Sequence, residues 1–166
     1  MTLTDGLDSA SLRTTFGLCP SGVVAVCARD HSGARIGMVV STFVPVSIDP
    51  PLVAICVQRS STTWPHLGSR RNIGLSVLAS SHAAAARRLS SRHGDRFEGT
   101  QTETSKLGAI FIEGALAHFD TSVHRTVDAG DHWVVLLTVH AVSSVDMEDP
   151  IIFHRSSFHE IASVAP

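Results

Sequence analysis

The chain predicts a mainly β fold with helices: an antiparallel barrel of one domain, with helices covering its ends. Three observations carry this expectation. The apolar runs come in the order strands, helix, strand, helix, strands, which is not the regular β-α-β rhythm of a doubly wound sheet. Two early runs, residues 22–28 and 52–58, are almost continuously apolar, as strands buried on both faces are. The 166 residues hold no internal repeat, low-complexity tract or linker, and 43% of them are hydrophobic, enough for one real core. Closing the sheet is how antiparallel folds of many strands manage their edges.

Residues 1–10 read as a flexible tail and 11–166 as the domain. A short helix over 11–18 puts Leu12 and Phe16 on one face, and Pro20-Ser21-Gly22 ends it. Residues 22–28 form the first strand, and Asp30-His31-Ser32-Gly33 is a hairpin-type turn. Residues 35–43 form the second strand and 52–58 the third; between them Pro50-Pro51 stops pairing and sets the return path. Ser60-Ser61-Thr62-Thr63 caps a helix from Trp64 to about Ser69, with Pro65 in the first turn, where proline is tolerated. Residues 73–78 are the fourth strand. A helix over 81–93 follows from the strong helix formers Ala83 to Ala86, a capping Ser81 and a terminating Gly94. The polar stretch 99–108 reads as an exposed loop, and 109–123 as one long strand or two joined at Gly114. Residues 132–142 are the last long strand, and 151–153 with 158–161 form a closing pair.

Composition excludes several classes. The net charge is −2, only 17% of residues are charged and no basic block exists, so a nucleic-acid footprint is not indicated. Seven Phe, two Trp and no Tyr leave little for a base-stacking platform. No run approaches a membrane span, and the N-terminus lacks the basic and apolar regions of a secretion signal. A cytoplasmic, reducing location is therefore expected. Cys19, Cys27 and Cys56 cannot all pair within one chain, and no C-x-x-C occurs. They read as reduced core or site-lining thiols.

The usual catalytic signatures are missing. No G-x-G-x-x-G follows a strand, no P-loop lysine is present, and there is no G-x-S-x-G elbow. Ten histidines invite a metal reading, but there is no H-E-x-x-H, and the pairs His118/His124 and His154/His159 lack carboxylates in ligand-like registers. No metal site is expected. Four weaker signals remain. Ser41, Thr42 and Ser47 flank Phe43 between apolar strands, where hydroxyls either bond nearby backbone or hydrogen-bond a flat polar ligand without crowding it. Ser60-Ser61-Thr62 is either a plain N-cap or an anion site at a helix start. Arg96-Phe97 holds either a surface arginine paired with Asp95 or Glu98, or a guanidinium fork for a phosphate. Gly130-Asp131-His132 opens the last strand as a tight turn, with its His either satisfied locally or facing a ligand.

These signals fall in a recognisable order. Ser21-Gly22-Val23-Val24-Ala25-Val26 is followed by Gly37-Met38-Val39-Val40-Ser41-Thr42-Phe43 and by Pro45-Val46-Ser47-Ile48-Asp49-Pro50-Pro51-Leu52-Val53. Then come Ser60-Ser61-Thr62, Asp95-Arg96-Phe97-Glu98-Gly99, Gly114-Ala115, Gly130-Asp131-His132 and Pro150-Ile151-Ile152-Phe153. Over residues 11 to 161 this resembles the small flavin reductases, the reductase components of two-component flavin-dependent monooxygenases. Val39 stands where that family often has Thr, Ser76 where Asn is common, Leu137 where Gly is frequent and Phe153 where Tyr is common.

The resemblance implies a split β-barrel of the FMN-binding type, acting as a homodimer with flavin in a groove near the subunit contact. It implies an NAD(P)H:flavin oxidoreductase that reduces FMN or FAD with NADH or NADPH and supplies reduced flavin to a partner monooxygenase. Val40, Ser41, Thr42, Phe43 and Ser47 would line the isoalloxazine and ribityl chain. Ser60, Ser61 and Thr62 would hold the flavin phosphate, with Arg96 and Phe97 nearby. His132 would be the catalytic candidate on the nicotinamide side, together with Phe153. Sparse acid–base machinery suits such a reaction, because the cofactor carries the chemistry. Two other functions stay open: a flavin-binding accessory or carrier without NADH turnover, and a pyridoxamine-phosphate-oxidase-like or deazaflavin-dependent enzyme on a related barrel.

Overall fold

A computed structural model describes residues 7–145 and 148–161. The first helix, α1 (Ser9–Phe16), is capped by Asp8, whose carboxylate accepts a hydrogen bond from the Ser11 backbone at 2.7 Å. It begins inside the stretch expected to be tail; residues 1–6 lie outside the described residues. No residue of α1 is buried, and Phe16 is 68% exposed, so the expected apolar face of Leu12 and Phe16 finds no core in this chain.

The strands β1 (Ser21–Gly22), β2 (Val24–Arg29) and β3 (Arg35–Val40) follow, with the hairpin turn where it was expected. The next elements are β4 (Phe43–Ser47), β5 (Leu52–Gln58), the single-turn helix α2 (Trp64–Leu67) and β6 (Ile73–Val77). A 3₁₀ turn at Ser80–His82 leads into α3 (Ala83–Ser90). The expected helix over 81–93 is thus shorter at both ends; Ser90 bonds back to the Ala86 carbonyl and Ser91 is extended. The rest is strand: β7 (Thr102–Thr104), β8 (Ile110–Ile112), β9 (Ala117–Ala129), β10 (His132–Ser144), β11 (Ile152–His154) and β12 (Ser157–His159). The polar stretch 99–108 is not all loop, because β7 pairs with β8; its exposed residues carry no apolar alternation to reveal a strand. Gly114 does divide the 109–123 stretch into two strands.

Seven strands form one antiparallel sheet in the order β3-β2-β6-β9-β10-β5-β4. The expected closed barrel is not formed: among the described residues the ladder has two free edges, β3 and β4. These edges are nevertheless consecutive in sequence, joined only by Ser41 and Thr42. Three extended residue steps reach at most about 11 Å, so the sheet must roll until its edges meet at that link. The expected strand over 35–43 breaks there, and its second part moves to the opposite edge. Pro45, in β4, has no N–H to give a further ladder, and the pairing of β4 with β5 shifts register between Pro45 and Ser47.

The rolled sheet encloses one core, built from Val24, Val26, Ile55, Val57, Leu75, Val135 and Leu137 and plugged by Trp64 and Leu67 of α2. The other face of β2 carries Ala25 and Cys27 into a second core with Val23, Leu78, Leu89 of α3, Phe97, Ile110, Ile112 and Ile151. This is why β2 is apolar at successive positions: alternate side chains enter different cores. Two glycines make close approaches possible. A Cβ on Gly74 would lie 2.0 Å from the Ile110 carbonyl oxygen, so β8 crosses directly over β6. A Cβ on Gly37 would lie 2.7 Å from the Phe97 ring. A small sheet, β1-β11-β12, closes that side of the molecule. Among the described residues, no helix is long and apolar enough to cross a membrane.

Candidate active site

A groove of about 710 Å³ lies beside the link between β3 and β4. Four segments line it: residues 38–42, residues 56–58 with 60–63, the end of α3 with the turn after it, and His132 at the start of β10. Its floor is apolar, from Met38, Val39, Val40, Val57 and Leu89, and its walls carry the hydroxyls of Ser41, Thr42, Ser60, Ser61, Thr62 and Thr63. Among the described residues, the charged side chains of the lining are Arg92 and Arg96, and no Asp or Glu belongs to it. A site with fixed positive charge and no carboxylate favours an anionic ligand.

Arg96 is half-buried. One of its guanidinium nitrogens donates to the Gly37 carbonyl at 2.9 Å and to the Thr63 hydroxyl at 2.6 Å. The alternative expected for it, pairing with Asp95 or Glu98, does not occur. Asp95 accepts from the Phe97 backbone and Glu98 pairs with Arg88 at 2.7 Å. Arg96 is therefore held in place by neutral groups, and its charge stays available to a ligand. The Ser61 hydroxyl oxygen accepts from the Trp64 backbone at 3.1 Å, so it satisfies the first N–H of α2, whose N-cap residue is Thr63, and keeps its own proton to donate. The capping and ligand-facing roles are thus compatible.

His132 is paired across the ladder with Gln58, another groove residue. Its Nδ1 lies 2.8 Å from the Asp131 carboxylate. That hydrogen bond, followed by the charge interaction with His132, lowers the pKa of Asp131. An ionised carboxylate only accepts, so Nδ1 carries the proton, and whenever the ring is neutral Nε2 is the acceptor.

The structure thus brings Val40, Ser41, Thr42, Ser60, Ser61, Thr62, Arg96 and His132 together. It places four other expected residues outside the lining. Phe43 packs toward the enclosed core, with its ring 5.2 Å from that of Phe119. Phe97 is 4% exposed, beneath Gly37, and the Arg35 guanidinium lies 4.9 Å from its ring. Ser47 ends β4, half-buried. Phe153 pairs with Ser21 in the small sheet and packs edge-on to Phe158 at 5.8 Å. Sequence reasoning missed Arg92, Gln58 and Thr63. Gln58 could have been found from the pairing of β5 with β10, and Thr63 from its place in the Ser/Thr run; nothing local marks Arg92. The cysteines are free and differ: Cys27 is buried, which pushes its thiol up to about 12, Cys56 lines the groove, and Cys19 is exposed rather than core or site-lining.

Known proteins resemble this chain over nearly its whole length. The sequence pattern of the flavin reductase like domain matches residues 16–162. The chain belongs to the flavin reductase like family. A flavin reductase of Pseudomonas putida is 33% identical over 95% of this chain and 93% of its own length. The reductase subunit HsaB of a flavin-dependent monooxygenase from Rhodococcus jostii is 31% identical, over 93% of this chain and 78% of its own. Among solved structures, the NADH:FAD oxidoreductase SgcE6 of Streptomyces globisporus, in complex with NAD and FAD fragments, superposes with a TM-score of 0.90 at 30% identity, covering 100% of both chains. The flavin that the family name implies fits the groove's chemistry. A flat ring system suits the apolar floor beside Ser41 and Thr42, and a phosphate suits the hydroxyl run with its two guanidiniums.

Proposed function

We propose that this protein is an NAD(P)H:flavin oxidoreductase that reduces FMN or FAD and passes reduced flavin to a partner monooxygenase. The observation that carries the reading is the groove without a carboxylate among its described lining residues, where a run of hydroxyls before α2 and a preset Arg96 meet an apolar floor and a tautomer-fixed His132. When bound, the flavin accepts a hydride from the reduced nicotinamide, which is chemistry the cofactor supplies. The chain's own residues bind and orient. Ser60, Ser61 and Thr62 donate hydroxyl hydrogen bonds to the phosphate, and Arg96 adds a charge-assisted one. Arg92 adds a second, freer positive charge at the rim. His132 offers Nε2 to the carboxamide N–H of the nicotinamide, and so orients the donor ring without exchanging a proton with it.

The rolled sheet, open along one seam, is read as the split barrel of the FMN-binding type, with residues 11–166 as its domain. The second subunit expected from the resemblance fits the exposed apolar residues of this chain. Ile48 is 95% exposed beside the edge strand β4, Val44 and Val46 are each 48% exposed, and Phe16 and Leu18 add to them. Apolar surface of this kind marks interaction sites. A cytoplasmic location agrees with three unpaired thiols.

Steady-state NADH and NADPH oxidation with FMN, FAD and riboflavin in turn tests the reading. Flavin binding without nicotinamide oxidation would replace it with an accessory or carrier role. A monomeric mass by light scattering at micromolar concentration would remove the homodimer.

A further inference from the structure

Arg59 lies just outside the groove, between Gln58 and Ser60, and among the described residues its hydrogen bonds and its ring contact go to one place: the tip of the β9–β10 hairpin. Its backbone N–H donates to the Asp131 carbonyl at 2.9 Å. Its guanidinium pairs with Asp128 at 2.5 Å and lies 5.5 Å from the centre of the Trp133 ring. Asp128 and Trp133 face each other across the hairpin. The three partners therefore bracket His132, the one residue of this tip that lines the groove.

We propose that Arg59 is a positioning residue for His132, clasping the hairpin tip to the rim of the groove; this rests on the reading of His132 as the nicotinamide-side residue. The geometry explains why a single residue suffices. Successive strand residues point to opposite faces, so Arg59 grips Trp133 on one face while His132 is presented on the other. The hairpin tip itself is exposed from Arg59's partner Asp128 to Asp131, and would fray without an anchor. An isolated exposed ion pair stabilises little. The guanidinium is planar, and the same group also lies over an indole, so it fixes an orientation that a lysine would not.

The test compares Arg59→Ala, Arg59→Lys, Asp128→Asn and His132→Ala for NADH kinetics, flavin affinity, and amide exchange at residues 128–133. Arg59→Ala should lower kcat/KM for NADH about three- to tenfold, leave flavin Kd within twofold, and speed exchange at the tip. Arg59→Lys should recover only part of the loss. Asp128→Asn should fall between Arg59→Ala and the unchanged protein. Wild-type NADH kinetics in Arg59→Ala beside impaired kinetics in His132→Ala would overturn the clasp and leave the role of His132 standing. Wild-type kinetics in both would overturn the two together. Equal losses of NADH turnover and flavin affinity in Arg59→Ala would also overturn it, since a general loss of structure would then explain both.

Discussion

Removing the Arg96 guanidinium separates binding of the phosphate from binding of the ring. In Arg96→Ala the groove loses a half-buried cation already fixed by Gly37 and Thr63. A free arginine gives up about 2 kcal/mol of rotamer freedom when it is immobilised. Here folding has already ordered it, so the hydrogen bond to a phosphate keeps most of its value. A hydrogen bond to a charged group contributes about 1.5–3 kcal/mol, which is roughly 10- to 150-fold in Kd. Fluorescence titration with FMN and FAD should show a loss in that range. Riboflavin, which has the ring and the ribityl chain but no phosphate, should bind the variant and the wild type alike. The two lost contacts inside the protein open onto the groove, where water can replace the guanidinium, so stability should fall by only about 1–3 kcal/mol in total. A riboflavin Kd that weakens as much as the FMN Kd would refute the reasoning, because Arg96 would then shape the groove rather than hold a phosphate.

Gly37→Ala should be destabilising by about 1–3 kcal/mol in urea unfolding, the usual cost of overpacking, and should weaken flavin binding as well, because the displaced strand carries the carbonyl that holds Arg96. Thiol titration should find Cys19 fast, Cys56 slower and protected by added FMN, and Cys27 silent until the protein unfolds. Its buried thiol is pushed up to about 12, so almost no thiolate is present at neutral pH; a fast second thiol unaffected by flavin would contradict the placement of Cys56. Asp30 accepts from the Ser32 hydroxyl and from the backbone of Ser32 and Ala34, and these bonds lower its pKa, the Ser32 hydroxyl most. Its stabilisation should be complete above the unfolded value of about 3.9 and vanish as pH falls through the lower folded value. The urea midpoints of Asp30→Asn and wild type should therefore differ at neutral pH and converge in strong acid.

Much of this fold is legible in the residues themselves. β2 and β5 announce double burial by unbroken apolar runs, the Asp30–Gly33 turn by its composition, and the Ser60–Thr63 run by its capping chemistry. What was not legible depends on contacts made at long range. The break at Ser41–Thr42 looks locally like any strand of Val, Ser, Thr and Phe, and only the placement of β4 against β5 reveals it. β7 is polar on an exposed edge and lacks the period that would betray a strand. In the site, the residues with a chemical signature gather around one groove, whereas Phe43 and Phe97 lie outside its lining; an aromatic beside a polar motif reads equally as ligand contact or core. Phe97 is core because Gly37 leaves room for its ring. Arg92 carries no signature at all; its place in the groove follows from where α3 ends.

The failure of the sheet to close and the presence of the groove are one feature. β3 is hydrogen-bonded on one side only, to β2, along its whole length. A free strand edge is ordinarily a liability, because its unpaired N–H and C=O groups invite another strand. If β4 had paired with β3, those groups would be satisfied, and residues 38–42 would be sealed within the barrel wall. Instead the chain leaves β3 at Val40, crosses on two small hydroxyl residues and joins the far edge through a strand interrupted by Pro45. The seam stays open where Met38, Val39 and Val40 line the groove, and a flat polar ligand can meet both the edge and the hydroxyls. Replacing Ser41 and Thr42 with Val should test this. Both carry polar atoms in the groove wall, Ser41 exposed and Thr42 half-buried, so their loss removes ligand contacts without emptying a core. Binding of riboflavin, the flavin without phosphate, should weaken about as much as binding of FMN, the reverse of the pattern expected for Arg96→Ala. A double variant that lost FMN but kept riboflavin would show that the ring does not sit at the seam.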